Sequence, residues 1–281
     1  MPNANPPRCL GIGLFYNDED MVRDALDHLL ENNHDLVVWD HGSTDGTAAV
    51  LDEYNRHFVE RLFLPREFNF YKLFEAVSRH IIKNYKSQYD WISFPESDEI
   101  LEGPDRSKSY YEHILEVCDS PYDWVQFNNI VYWFTSEDDP SIASPVDRMR
   151  RYCIWADCSP RVYAWRSSAM NIRKFNHNPA KGKKYPIHFN TCHYQMRSEQ
   201  QMRKRLHDRI GLRKRAKNFH FDYMAKNIPG LYVKPEALHY DDRKSDLNLS
   251  EIFSWPTVYG TYEQLCEQLE EESSSQRESD G

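Results

Sequence analysis

The sequence predicts an α/β fold, a doubly wound, mostly parallel sheet with helices on both faces. Three observations carry this reading. Short apolar runs alternate with amphipathic stretches through the first hundred residues, and a Gly-rich turn, Gly42 to Gly46, lies between a strand and a helix. The apolar runs also end on polar or acidic residues, at Asn17, at Asp40 and at Glu96 to Glu99. Ligands of such sheets bind at the carboxyl ends of the strands, so these three groups are expected on one edge.

The elements follow in order. Cys9 to Tyr16 reads as a buried strand. Asn17 is then placed as the N-cap of a helix, with Asp18, Glu19 and Asp20 in its acidic first turn and Met21, Val22, Ala25, Leu26, Leu29 and Leu30 at helical spacing. Asp35 to Trp39 is a second strand ending on Asp40, and Thr47 to His57 reads as helix after the turn. Phe58 to Leu64 is a third strand. Phe70, Leu73, Phe74, Val77, Ile81 and Ile82 mark a third amphipathic helix, and Trp91 to Phe94 is a fourth strand running into Pro95-Glu-Ser-Asp-Glu99. After Ser109 the pattern changes: Tyr110 to Cys118 reads as a helix and Trp124 to Phe134 as a strand. The stretch to about His193, broken by Pro140, Pro145, Pro160, Pro179 and Pro186, reads as a loop-rich, aromatic extension of the same domain.

Composition excludes several classes. At 281 residues the chain is one large domain or two small ones, and 40% hydrophobic with 28% charged residues is a globular balance. The longest apolar runs, such as Asp35 to Asp40, are far too short to cross a bilayer. The first eight residues lack a basic patch followed by an apolar stretch, and the six cysteines are scattered without a C-x-x-C pair. A cytoplasmic setting is therefore expected, with neither a disulfide framework nor a cysteine zinc site. A net charge of -9 argues against a surface built for nucleic acid. Basic residues nevertheless crowd between Arg197 and Lys217. The end from Glu263 is acidic and Ser-rich and reads as a disordered tail. Aromatics reach 14%, which serves cores more often than sugar clefts.

Three groups can carry chemistry. In Asp40-His-Gly-Ser-Thr-Asp-Gly-Thr47 an acid leaves a strand, the chain turns through two glycines, and a helix begins. Asp40 could accept hydrogen bonds from a nucleoside while the glycines let the backbone approach a ligand. Equally, Asp45 could cap the helix and Gly42 and Gly46 simply make the turn. Glu96-Ser97-Asp98-Glu99 offers carboxylates two apart at a strand end, hard oxygen ligands for Mg²⁺ or Mn²⁺ that could bridge a diphosphate, or else a solvated acidic loop. In Thr191 to Gln200, His193 could be a third metal ligand and Arg197 could pair with phosphate, whereas most of Arg203 to Lys217 reads as a solvated helix face.

Together these segments resemble the family 2 glycosyltransferases, inverting, nucleotide-sugar-dependent enzymes of the GT-A fold. The resemblance rests on Leu14 to Glu19, Val37 to Thr47 and Trp91 to Leu101, and covers roughly residues 8–215. Within that group the chain looks like the branch in which an Asn-His pair, here Asn176-His177, precedes a His-Tyr-x-x-Arg-Ser segment, here His193 to Ser198. The resemblance implies a GT-A domain over residues 8–217, with a nucleotide-sugar half over 8–105 and an acceptor half over 106–217. Residues 218–262 are then an extension packed on it, and 263–281 the acidic tail. It further implies donor contacts from Asn17, Glu19, Asp40, Gly42, Ser43, Asp45, Glu96 and Arg197, and Mn²⁺ or Mg²⁺ held by Asp98 with Glu96 and His193. Glu96 stands where the family usually has the first Asp of D-x-D, which leaves open whether it meets the metal or the ribose. His41 stands where a second Asp is frequent.

The family mechanism is a single displacement in which a base takes the acceptor hydroxyl's proton while the metal neutralises the departing nucleoside diphosphate. Asp157, Glu137, Asp138 and His177 are all candidates for that base. A UDP-sugar is the donor the resemblance favours, and the acceptor is a glycan, a glycolipid or another hydroxyl compound. Arg203 to Lys217 is expected as a helix resting near an anionic membrane or acceptor. A nicotinamide dehydrogenase is rejected, because in Gly11-Ile-Gly13 the third glycine of the fingerprint falls on Tyr16, inside a strand. A sugar nucleotidyltransferase needs a basic Gly-rich loop where Asn17-Asp-Glu19 stands, and a binding module that kept the fold without the chemistry is the non-enzymatic alternative.

Overall fold

The computed structural model describes residues 6–65, 70–154, 161–173, 180–198, 200–201 and 235–249. In chain order they form β1 (Cys9–Phe15), α1 (Val22–Glu31), β2 (His34–Asp40), α2 (Thr47–Glu53), β3 (Phe58–Phe63), α3 (Phe70–Asn84), β4 (Trp91–Ser93) and β5 (Glu99–Glu102). There follow α4 (Tyr110–Cys118), β6 (Trp124–Trp133), α5 (Pro145–Arg148), β7 (Arg151–Ile154), β8 (Arg161–Arg166), β9 (Phe189–Met196) and β10 (His239–Tyr240). The order β3-β2-β1-β4 is parallel throughout, the doubly wound half that the alternation of strand and helix predicts. Beyond β4 the sheet continues through β8, β6, β7 and β10 by antiparallel pairing. β9 lies parallel to β6 and carries β5 antiparallel on its other edge.

Strand alternation sorts the core into two layers. Leu10 and Ile12 of β1 and Val37 and Trp39 of β2 face Phe74, Val77 and Ile81 of α3. The intervening Phe15, Leu36 and Val38 face Val22, Ala25, Leu26 and Leu29 of α1, with Leu51 of α2. Helices therefore cover both faces. Gly11 sits where α1 and β2 close on β1: a Cβ there would meet Leu36 Cδ2 at 2.8 Å. Gly11 thus serves helix–strand packing.

Two expectations are corrected. Asn17 is not a helix cap: α1 begins at Val22, and Asn17 adopts φ 53°, a left-handed conformation that asparagine tolerates better than most residues. Asp18 to Asp20 consequently lie in a turn that starts where the Asp18 carbonyl accepts from Met21 and Val22 N–H at 2.9 and 2.8 Å. The segment between β6 and His193 is also more regular than its prolines suggest, since β7, β8 and most of β9 lie in it as members of the sheet. β9 is buried at every position, so it lacks the in–out alternation by which a strand is ordinarily read.

Beneath the parallel half lies a neutral polar relay. His34 Nδ1 donates to the Asn32 carbonyl at 2.7 Å, which leaves Nε2 to accept from Ser93 Oγ at 2.9 Å, and Ser93 meets the Tyr110 hydroxyl at 2.9 Å. Burial pushes the His34 imidazole down to about 4. Unfolded chains protonate this ring near 6.5, so its contribution is complete above that pH and is lost as pH falls through 4, a total of about 3 kcal/mol. Urea midpoints of the wild type and of His34→Gln, compared between pH 7.5 and 4.5, should show a shallower pH dependence in the variant; equal slopes would remove His34 as the cause.

Candidate functional site

The carboxyl ends of β1, β2 and β4 meet in three loops laced by side-chain hydrogen bonds. Asn17 Oδ1 accepts from Thr44 N–H at 2.8 Å, and Asn17 N–H donates to Ser43 Oγ at 3.2 Å. Glu19 accepts from Gly46 N–H at 2.7 Å, and Asp45 accepts from the N–H groups of Glu19 at 3.4 Å and Thr47 at 3.0 Å. Asp40 is buried and accepts from Ser43 N–H at 2.8 Å, and Gly42 takes φ 73°, a left-handed turn residue. The first and second loops are thus held to one geometry. The third joins them when Ser97 Oγ donates to Asp18 Oδ2 at 2.6 Å.

At the junction stand Asp98 and His193. Asp98 follows β4, its carbonyl accepts from Tyr194 N–H at 2.8 Å, and β9 thereby presents the neighbouring His193 to it. His193 Nε2 lies 3.4 Å from Asp98 Oδ1, with both side chains buried. Neither ring nitrogen of His193 has a hydrogen bond among the described residues. A buried imidazole left in this state loses the solvation of two polar atoms, a cost that a bound ligand removes. Among the described residues no three His, Cys, Asp or Glu side chains converge into a metal-sized group. One carboxylate and one imidazole could still hold a divalent cation, and the nitrogen donor would favour Mn²⁺ over Mg²⁺.

Glu96 takes a different direction. Its carboxylate lies 3.9 Å from Arg161 and 3.7 Å from Arg173. Arg173 is buried, donates to the Phe94 carbonyl at 2.6 Å, and sits over the rings of Phe74, Phe94 and Tyr163 at 4.6, 4.6 and 5.3 Å. Glu99, opposite His193 in the β5–β9 register, accepts from Arg161 at 2.9 Å, Tyr163 Oη at 2.6 Å and Glu96 N–H at 2.9 Å. Burial first, and Glu96 second, push the Glu99 carboxyl above the usual range, while Arg161 opposes them. Sequence reasoning missed Arg161, Arg173 and Glu99 as a group, since only the sheet register brings β5, β8 and β9 together.

Arg197 is buried among acids. It grips Asp20 with two hydrogen bonds of 2.9 Å, reaches Asp18 at 3.2 Å and the Tyr194 carbonyl at 3.2 Å, and stands 3.7 Å from Asp98. Most of its hydrogen bonds go to Asp18 and Asp20, which the sequence had suggested only as helix-turn acids. Of the candidate bases, Glu137 pairs with Arg151 at 2.7 Å and Asp138 accepts from Thr135 Oγ1 at 3.1 Å and from its N–H. Asp157, His177 and the basic stretch Arg203 to Lys217 lie outside the described residues. No helix among the described residues is long and apolar enough to cross a membrane.

Comparison with solved structures finds similarity to S. aureus TarS. One structure shares 16% identity at a TM-score of 0.32 over 47% of this chain and 22% of that one. TarS 1-349 in complex with UDP shares 16% at 0.31 over 46% and 36%, and TarS 1-349 alone shares 14% at 0.35 over 58% and 48%. The chain therefore spans less than half the length of each. Comparison with curated proteins finds no match. The sequence pattern of glycosyl transferase family 2 matches residues 14–206, which takes in all three loops of the site, β9 and Arg197, and the chain belongs to that family.

Proposed function

We propose that the chain transfers a sugar from a nucleoside-diphosphate donor, with UDP-sugars the first to be tested, to a hydroxyl of a glycan, glycolipid or related acceptor with inversion. The observation that supports this best is the buried His193 imidazole, without hydrogen bonds among the described residues, facing Asp98 at the edge where α/β sheets bind ligands. Asp98 and His193 would hold a divalent cation, which when bound supplies positive charge to the leaving diphosphate. Asp40, at the end of β2, offers its remaining carboxylate oxygen to the nucleoside. The lacing of the β1 and β2 loops keeps that oxygen in place before the donor arrives, which lowers the entropy cost of binding.

Glu96, partly exposed and held at ion-pair distance by Arg161 and Arg173, can accept from sugar or ribose hydroxyls. Arg203 to Lys217 remains proposed as a contact for an anionic membrane or acceptor. The direct test is transfer and hydrolysis of UDP-sugars with and without Mn²⁺; no turnover of any nucleotide sugar in either condition would overturn the reading. Asp40→Ala should weaken UDP binding by about 1–3 kcal/mol, since it removes a buried acceptor. Calorimetry that returns the same affinity for both proteins would make Asp40 a turn residue alone.

A further inference from the structure

β5, which begins just after Asp98, and β9, which bears His193, are held from behind by residues outside the family match. Asp241 is buried, accepts from Arg106 at 2.6 and 3.2 Å, and accepts from the Tyr132 hydroxyl. Arg106 also binds Glu102 of β5 with two hydrogen bonds of 3.1 Å, so one guanidinium joins β5 to this C-terminal strap. Arg243 takes φ 63° beside it, and its guanidinium donates to the Tyr194 hydroxyl at 3.2 Å, to the Met149 carbonyl at 2.9 Å and to the Val146 carbonyl. That guanidinium also covers Tyr132 at 5.1 Å, and Tyr132 stacks on Tyr194 at 4.6 Å.

Tyr194 is the hinge of the arrangement. Its side chain is fully buried on the strap side, its N–H donates to the Asp98 carbonyl at 2.8 Å, and its neighbour His193 projects to the other face of β9. Two arginines thus tether β5 and β9, and Arg243 holds Tyr194, which is hydrogen-bonded to the Asp98 carbonyl and covalently joined to His193. The family match ends at residue 206, well before Asp241 and Arg243.

We propose that Arg243 is a positioning residue which, through Tyr194, fixes Asp98 and His193 at cation-binding separation; this rests on the metal reading above. Partners that orient metal ligands typically carry a 10–100-fold share of metal affinity. The test is Mn²⁺ titrated into the full chain, with and without UDP, and followed by the paramagnetic resonance signal of free Mn²⁺. Arg243→Gln and Tyr194→Phe should each weaken Mn²⁺ binding by about tenfold or more, and the double variant should be no weaker than the worse single one.

A variant with wild-type Mn²⁺ affinity overturns the proposal even if its melting temperature falls, because then the strap only stabilises. Additive losses overturn it too, since Arg243 would act by another route. Should Arg243→Gln fail to fold, Tyr194→Phe, which removes a single hydroxyl, decides alone. Asp98→Ala separates the layers. If it binds Mn²⁺ like the wild type, or if the wild type binds none, the metal reading fails and takes the proposal with it. If Asp98→Ala abolishes binding while the strap variants do not, only the proposal fails.

Discussion

Asp98→Asn should lose Mn²⁺ binding and about three orders of magnitude in sugar transfer while folding normally. The size follows from the role: a cation that neutralises a leaving diphosphate is worth several kcal/mol in the transition state, and each 1.4 kcal/mol is a factor of ten in rate. The fold should survive, since the hydrogen bond from Tyr194 N–H to the Asp98 carbonyl is made by the backbone and the substitution leaves it in place. Arg197 keeps Asp18 and Asp20 as its hydrogen-bonded partners and loses only a 3.7 Å ion pair. His193→Ala should follow the same pattern, with weaker metal binding and little change in the unfolding midpoint. Wild-type activity in excess chelator, or in Asp98→Asn, would sink the metal assignment.

The parallel half of the fold was legible because its strands and helices announce themselves locally. Leu10 and Ile12 alternate with small or α1-facing residues, and Phe74, Val77 and Ile81 repeat at helical spacing, so each element shows its period within its own window. The strand-end positions Asp40 and Glu96 to Asp98 followed from topology alone, because the winding decides which ends gather. The second half was not legible by the same means. β7 has four residues, β8 carries an arginine at each end, and β9 is buried on both faces with Asn190, Thr191, His193 and Gln195 inside. Short strands and doubly buried polar ones carry no periodic signal.

The same limit applies to the site. Asp98 and His193 could be singled out as chemistry-bearing residues, but that they come within 3.4 Å depends on the β5–β9 register and on the Tyr194-to-Asp98 backbone bond. Glu96 and Asp98, two apart in sequence, looked like a pair; the turn after β4 sends one to Arg161 and Arg173 and the other to His193. What distinguishes them is their distant partners, which no local window contains.

Arg197→Ala should destabilise the protein by about 3–5 kcal/mol, the range for removing one member of a buried ion pair. The guanidinium is 2% exposed and is the hydrogen-bonded cation for both Asp18 and Asp20, with Asp98 a further 3.7 Å contact. Burial pulls its pKa down, but Asp18 and Asp20 more than offset this, and the net shift is upward, so the charge is permanent. Without it Asp18, Asp20 and Asp98 lose a shared cation at the junction of the β1 and β4 loops, and the repulsion among them is no longer offset there. Arg197→Lys should recover only part of the loss, because an ammonium cannot make the two-pronged contact with Asp20. Urea unfolding at pH 7 measures both. If Arg197→Ala instead unfolds at the wild-type midpoint and loses only affinity for UDP, the guanidinium serves the diphosphate and its grip on Asp18 and Asp20 is incidental.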